Sequence, residues 1–125
     1  HVHVAGFYNI PGFWDGKLKS KLENIRSERS RRFPDKNTTI SLVTQYDAKE
    51  IWDGGLDDIF PSLDFAIMNA LEARRIVKRG RGGENGNSDD EITNWATYFG
   101  SVSPTTVTIV TRGKLGAVAL RGGEM

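Results

Sequence analysis

Short apolar runs, rich in β-branched residues, recur along the chain and predict five β-strands. These runs contain few charged residues, which is typical of strands covered on both faces of a sheet. Gly, Pro, Asn or Asp residues follow the runs and indicate where each strand ends. The predicted strands comprise residues 1–6, 38–44, 63–68, 105–111 and 117–120.

Helical periodicity lies between the strands. Residues 15–32 place Leu18, Leu22 and Ile25 on one face against Lys, Glu and Arg, which predicts an amphipathic surface helix. Further helices are predicted at residues 48–52, 56–60, 70–77 and 89–99. The connection at residues 79–90 is rich in glycine, but it follows a helix rather than a strand and so lacks the context of a phosphate-binding loop.

The order of these elements, β-α-β-α-β-α-α-β-β, predicts an α/β fold. We expect a Rossmann-like, three-layer arrangement: a mainly parallel sheet with helices on both faces and a terminal β-hairpin. In such sheets, ligands bind outside the carboxyl ends of the strands. The candidate positions for a binding site are therefore residues 6–9, 44–47, 69–72 and 111–116.

Composition and charge narrow the classes of function. The chain has 125 residues, of which 38% are hydrophobic and 26% charged, as in one globular domain or part of one. A net charge of +1 offers no field that would favour nucleic acid or a membrane surface. The lack of cysteine excludes disulfides and thiolate-ligated metals and fits a reducing compartment. Because no long apolar segment or signal-peptide pattern occurs, we expect a cytoplasmic protein.

The ends of the sequence predict an incomplete domain. The first residue is His1 rather than Met and already lies in the first predicted strand. No further element is predicted after the strand at residues 117–120. We therefore expect both ends to fall inside a domain of a larger enzyme.

The junction between the third strand and the next helix carries the most informative chemistry. Asn69 ends the strand and Glu72 lies three residues further on, so both side chains emerge at a helix N-terminus. One interpretation is a capping box, with Asn69 as the N-cap and Glu72 bonding back to it. The other is a Mg²⁺ site beside phosphate, since Mg²⁺ favours few carboxylates plus water. The residues alone leave both interpretations open.

The segment around this junction reads Asp64-Phe-Ala-Ile-Met-Asn-Ala-Leu-Glu-Ala73. It resembles the strand-to-helix Asn-x-x-Glu-Ala segment of the ribokinase-like, or PfkB-type, carbohydrate and nucleoside kinases. Two flanking segments follow the order of that family. His1-Val-His-Val-Ala-Gly6 is similar to the strand before the substrate region, and Val110-Thr-Arg-Gly-Lys-Leu-Gly-Ala117 is similar to the nucleotide-contacting Val-Thr-x-Gly-x-x-Gly turn. The resemblance covers essentially the whole chain.

The resemblance implies a ribokinase-like fold and a kinase that transfers the γ-phosphate of ATP to a hydroxyl of a sugar or nucleoside, with Mg²⁺ as cofactor. It implies that Asn69 and Glu72 lie beside the Mg²⁺ and the phosphates. It also implies that Thr111, Gly113 and Gly116 shape the wall around the nucleotide, where glycines suit close backbone approach to a ligand. The alternative interpretation of residues 111–116 is an ordinary hairpin turn that needs φ > 0 at Gly113 and has no role in nucleotide binding.

One feature of the family does not occur in residues 1–125. Ribokinase-like kinases place a Gly-Ala-Gly-Asp run at a helix N-terminus, where amides stabilise the transferred phosphate and the Asp deprotonates the acceptor. The chain contains no such run, and the resemblance does not extend to the amino-terminal substrate and lid portion. It thus implies a partial domain that works with the remainder of its own polypeptide and is inactive alone.

Three further possibilities stay open at the level of the sequence. The oligomeric state of the full-length protein is open, with a homodimer as one possibility. The chain is either part of an active kinase or a non-catalytic relative that serves as a binding or regulatory module. The third possibility is that the chain is an unrelated doubly wound α/β domain, in which Asn69 and Glu72 only cap a helix.

Overall fold

A computed structural model describes residues 1–83 and 88–125 as an α/β fold built on one five-stranded sheet. The strands are β1 (Val2–Ala5), β2 (Ile40–Val43), β3 (Phe65–Asn69), β4 (Val107–Thr111) and β5 (Ala117–Leu120). They lie side by side in chain order; β1 to β4 are parallel, and β5 is antiparallel to β4. The predicted mainly parallel sheet and terminal hairpin are confirmed. Residues 84–87, within the predicted glycine-rich connection, lie outside the described residues.

The helices are α1 (Lys17–Arg32), α2 (Leu56–Ile59), α3 (Ala70–Gly80) and α4 (Glu91–Val102). The prediction of a helix at residues 48–52 is wrong, because this segment is an irregular loop. The cause is the carboxylate of Asp47, which accepts the N–H groups of Lys49, Ile51 and Trp52. Local side-chain bonds of this kind compete with helix formation. No helix in the described ranges is both long and apolar enough to cross a membrane.

One face of the sheet forms the hydrophobic core. Its central row crosses all five strands and consists of buried residues: Val4, Leu42, Ala66, Thr108 and Leu120. Buried residues of all four helices belong to the same hydrophobic cluster as the apolar members of this row. The helices therefore pack against this face.

The opposite face is also apolar, but its central row stays exposed or only partly buried. This row comprises Ala5, Val43, Ile67, Ile109 and Ala119. The prediction of helices on both faces is therefore wrong for the described part of the chain. Each parallel connection steps to the next strand in the same direction, and right-handed crossovers that step one way place their helices on one side.

Candidate functional site

The carboxyl ends of β1 to β4 meet at one edge of the sheet, where parallel α/β folds bind ligands. Asn69 is the last residue of β3, and its partner in the register of β4 is Thr111. Both residues are exposed. A short 3₁₀ turn that begins at Gly113 and ends before Gly116 follows β4. The structure thus brings Asn69 and Thr111 together and places both glycines in the connection between β4 and β5.

Asn69 and Glu72 form a capping box at the start of α3. Asn69 Oδ1 accepts the N–H of Glu72 at 2.9 Å, and Glu72 Oε2 accepts the N–H of Asn69 at 2.8 Å. The capping-box interpretation is confirmed, because each side chain satisfies an amide that has no partner inside the helix. These two bonds use Asn69 Oδ1 and Glu72 Oε2.

A second donor reaches the same carboxylate oxygen. Thr44, the residue after β2, is fully buried, and its hydroxyl donates to Glu72 Oε2 at 3.1 Å. Glu72 itself is 5% exposed. Within the described residues, no hydrogen bond reaches Glu72 Oε1. The carboxylate lies at the positive end of the α3 dipole. Described residues donate to one of its oxygens, Oε2, and none of them donates to the other.

The carboxylate of Glu72 would fit a Mg²⁺ ion only together with further ligands. In residues 1–83 and 88–125, no group of three or more His, Asp or Glu side chains is placed to hold a metal. Mg²⁺, however, usually binds one or two carboxylates together with water and substrate phosphates. Glu72 Oε1 would supply one such carboxylate oxygen. Among the described residues, these donors would fit a Mg²⁺ ion that keeps most of its water ligands, and they do not form a complete set of protein ligands.

The glycines after β4 have the backbone conformations of a tight turn. Gly113 has φ of 56° and Gly116 has φ of 82°, both in the left-handed region that favours glycine. The N–H of Arg112 donates to the carbonyl of Gly116 at 2.7 Å and closes the turn. A Cβ atom added at either glycine meets no atom within 4 Å. Backbone conformation, rather than crowding by described residues, therefore accounts for both glycines.

The loop after β2 is held in a strained backbone conformation beside this edge. The buried carboxylate of Asp47 accepts three backbone N–H groups at 2.7–3.0 Å. Three non-glycine residues of the loop have φ of 53–61°: Gln45, Glu50 and Trp52. Such conformations cost about 1–3 kcal/mol each and persist only where the surroundings stabilise them. Both carboxylate oxygens of Asp47 accept backbone N–H groups and thereby hold the loop from Lys49 to Trp52 in this conformation.

A partly buried ion pair anchors the far end of this loop. Arg79 donates two hydrogen bonds to the carboxylate of Asp57, both at 3.0 Å, and its Nε donates to the carbonyl of Trp52 at 2.8 Å. The hydroxyl of Tyr98 donates to the same carboxylate at 2.6 Å. Burial, and then this hydrogen bond, raise the pKa of Tyr98 above its ordinary value. Tyr98 therefore remains a neutral donor, and α2, α3 and α4 are joined at one point.

Thr44 and Asp47 were predicted only as the ends of the candidate segment 44–47, without roles. A signal for Thr44 does exist in the sequence, because it is a polar residue directly after an apolar strand, as Asn69 and Thr111 are. Its bond to Glu72 joins residues 28 positions apart. A pairing over that distance depends on the strand order and could not be predicted from local pattern.

No protein-family model matches the chain, and no curated protein matches it. The resemblance to the ribokinase-like kinases therefore depends on the three quoted segments and on the positions that the fold gives them.

Proposed function

We propose that the chain is the nucleotide- and Mg²⁺-binding part of a ribokinase-like domain, in an ATP-dependent kinase that phosphorylates a hydroxyl of a sugar or nucleoside. The observation that carries this proposal is the register between Asn69 and Thr111. It joins the Asn-x-x-Glu segment to the glycine turn at the sheet edge where α/β folds bind ligands. Two of the three segments that resemble the family thus lie side by side at one edge of the sheet.

The residues of the edge have complementary tasks in this proposal. Bound Mg²⁺ would neutralise charge on the transferred phosphate. Glu72 would hold the hydrated cation through Oε1, and Asn69, which caps α3, would fix the start of this helix beside the phosphates. Thr111 and the turn with Gly113 and Gly116 line the nucleotide. Phosphoryl transfer depends mainly on such positioning and electrostatic stabilisation, and the acceptor's base is supplied from outside residues 1–125.

The same proposal includes the remainder of the polypeptide as a partner. The apolar face around Val43, Ile67 and Ile109 is uncovered by described residues, and apolar strands of parallel sheets are generally covered on both faces. We propose that other parts of the full-length protein cover this face. The full-length protein would bind its sugar or nucleoside in the cytoplasm, and the 125-residue chain alone would be inactive.

The capping box favours one alternative, an unrelated α/β domain in which Asn69 and Glu72 only stabilise α3. The two functions differ in what they require of Glu72. A cap needs only a hydrogen-bond acceptor, and Gln supplies one. A Mg²⁺ site needs the negative charge. The substitution Glu72→Gln therefore separates the alternatives, because it keeps the cap and removes the charge.

Binding of Mn²⁺·ATP to the 125-residue chain tests the proposal, with water-proton relaxation as the readout. We expect the chain to bind Mn²⁺·ATP and Glu72→Gln to bind it roughly tenfold more weakly or worse. The matched control is Glu91→Gln, the same change in the first turn of α4, which should leave affinity unchanged. Affinity that is equal in the chain and in Glu72→Gln would contradict the proposed function.

A further inference from the structure

Thr44 lies where the ends of three strands meet. Its backbone N–H donates to the carbonyl of Ile67 on β3 at 3.2 Å, and its carbonyl accepts the N–H of Tyr8, after β1, at 3.5 Å. Its side chain is fully buried. These contacts fix the backbone of Thr44 from both sides, so its hydroxyl has a defined position relative to α3.

The hydroxyl of Thr44 is not needed to complete the helix cap. The capping box already consists of the reciprocal bonds between Asn69 and Glu72, at 2.8 and 2.9 Å. The Thr44 hydroxyl adds a second donor to Glu72 Oε2, at 3.1 Å. Two donors from different parts of the fold restrain the carboxylate more than the cap alone does.

The arrangement divides the two oxygens of Glu72 between different partners. Oε2 accepts from Asn69 and Thr44, whereas no described residue donates to Oε1. Partners that orient a metal-binding carboxylate typically change metal affinity 10- to 100-fold when they are removed. A buried hydroxyl that holds one oxygen, and thereby directs the other, has the geometry of such a partner.

We propose that Thr44 is a positioning residue of the Mg²⁺·nucleotide site: its hydroxyl holds Glu72 Oε2 so that Oε1 faces the hydration shell of the cation. This inference rests on the proposed function of Glu72. It extends the site to the end of β2, so that three adjacent strand ends contribute to it: Thr44 from β2, Asn69 from β3 and Thr111 from β4.

The test compares Thr44→Val with Thr44→Ser in the 125-residue chain. Val fills nearly the same volume without a hydroxyl, and Ser keeps the hydroxyl. We expect Thr44→Val to weaken Mn²⁺·ATP binding about tenfold and Thr44→Ser to bind within about twofold of the unsubstituted chain. Affinity for metal-free ATP, measured with chelator present, should be the same in all three chains. A role in metal positioning predicts this split, and general structural damage does not.

Two results would overturn the inference. One is Mn²⁺·ATP affinity in Thr44→Val equal to that of the unsubstituted chain; the other is equal weakening of Mn²⁺·ATP and metal-free ATP binding. If Thr44→Val does not fold, Thr44→Ser and Thr44→Ala form a second pair that differs only in the hydroxyl, and the same comparison applies to them.

Glu72→Gln keeps this inference distinct from the proposed function. If Glu72→Gln weakens binding and Thr44→Val does not, the proposed function stands and Thr44 has no positioning role. If Glu72→Gln itself leaves Mn²⁺·ATP affinity unchanged, the proposed function fails, and the inference about Thr44 fails with it.

Discussion

Replacing Gly80 by Ala probes the packing between α3 and α4. Gly80 is the last residue of α3 and has no positive φ, so Ala would ordinarily stabilise this position by about 0.5–1 kcal/mol. Here, however, a Cβ atom would lie 2.5 Å from Cε2 of Tyr98 and still closer to its hydroxyl. The ring of Tyr98 has to move, and with it the 2.6 Å hydrogen bond to Asp57.

The structure sets the size of the effect of Gly80→Ala. Overpacking costs about 1–3 kcal/mol, and loss of a hydrogen bond to a charged acceptor costs about 1.5–3 kcal/mol. After the gain from helix propensity, we expect the free energy of unfolding to fall by about 2–5 kcal/mol. Urea unfolding measures it, and the fluorescence of the buried Trp95 in α4 reports the transition.

Two controls separate this clash from a general effect of Ala. Gly12 also lacks a positive φ, and a Cβ there meets nothing within 4 Å, so Gly12→Ala should change stability by less than about 0.5 kcal/mol. In a Tyr98→Leu background, Gly80→Ala should lose most of its penalty, because the ring is gone. Stability of Gly80→Ala equal to or above that of the unsubstituted chain would refute the reasoning.

The remaining predictions concern a cap, an ion pair and activity. Asp90 is the N-cap of α4, and hydrogen bonds from the hydroxyl of Thr93, at 2.5 Å, and from its N–H, at 3.0 Å, lower the pKa of Asp90. The stabilisation by this cap is thus complete above the ordinary Asp pKa and is lost as pH falls through the lowered value. Carboxyl NMR titration should show Thr93→Val returning this pKa toward its ordinary value, and an unchanged pKa would contradict the cause. Asp57→Ala should lower the free energy of unfolding by about 2–4 kcal/mol in urea, since Arg79 loses its partner; a loss below about 1 kcal/mol would contradict this. The 125-residue chain, freed of contaminating kinase, should release no ADP in response to sugars or nucleosides, and acceptor-dependent release would disprove its inactivity.

The sequence predicted correctly those helices and strands that depend on the spacing of nearby residues. The spacing of Leu18 and Leu22 predicted α1, and both residues are buried in the core. The prediction at residues 48–52 failed because Asp47 takes three amides that a helix would need. The prediction of helices on both faces failed for another reason: apolar strands indicate that a face needs cover, whereas strand order decides which face the helices reach.

Some features of the candidate site could likewise be predicted from the sequence, and one could not. Asn69 and Thr111 end apolar strands, and the rule that parallel strands end at one edge predicted that both lie at the carboxyl edge of the sheet, which the register confirms. The pattern Asn-x-x-Glu indicated a capping box as one of two interpretations, and Asn69 and Glu72 form that box. The bond between Thr44 and Glu72 could not be predicted, because it requires β2 and β3 to be neighbours.

The most direct test of the central claim is a titration of the isotopically labelled 125-residue chain with Mg²⁺·ADP, followed in its amide NMR spectrum. The nucleotide site proposed at the ends of β3 and β4 predicts saturable shifts at the amides of Asn69, Glu72, Thr111, Gly113 and Gly116. It also predicts that Glu72→Gln raises the Mg²⁺·ADP concentration needed for saturation. Saturable shifts confined to other parts of the chain, or no shifts at all, would contradict the claim.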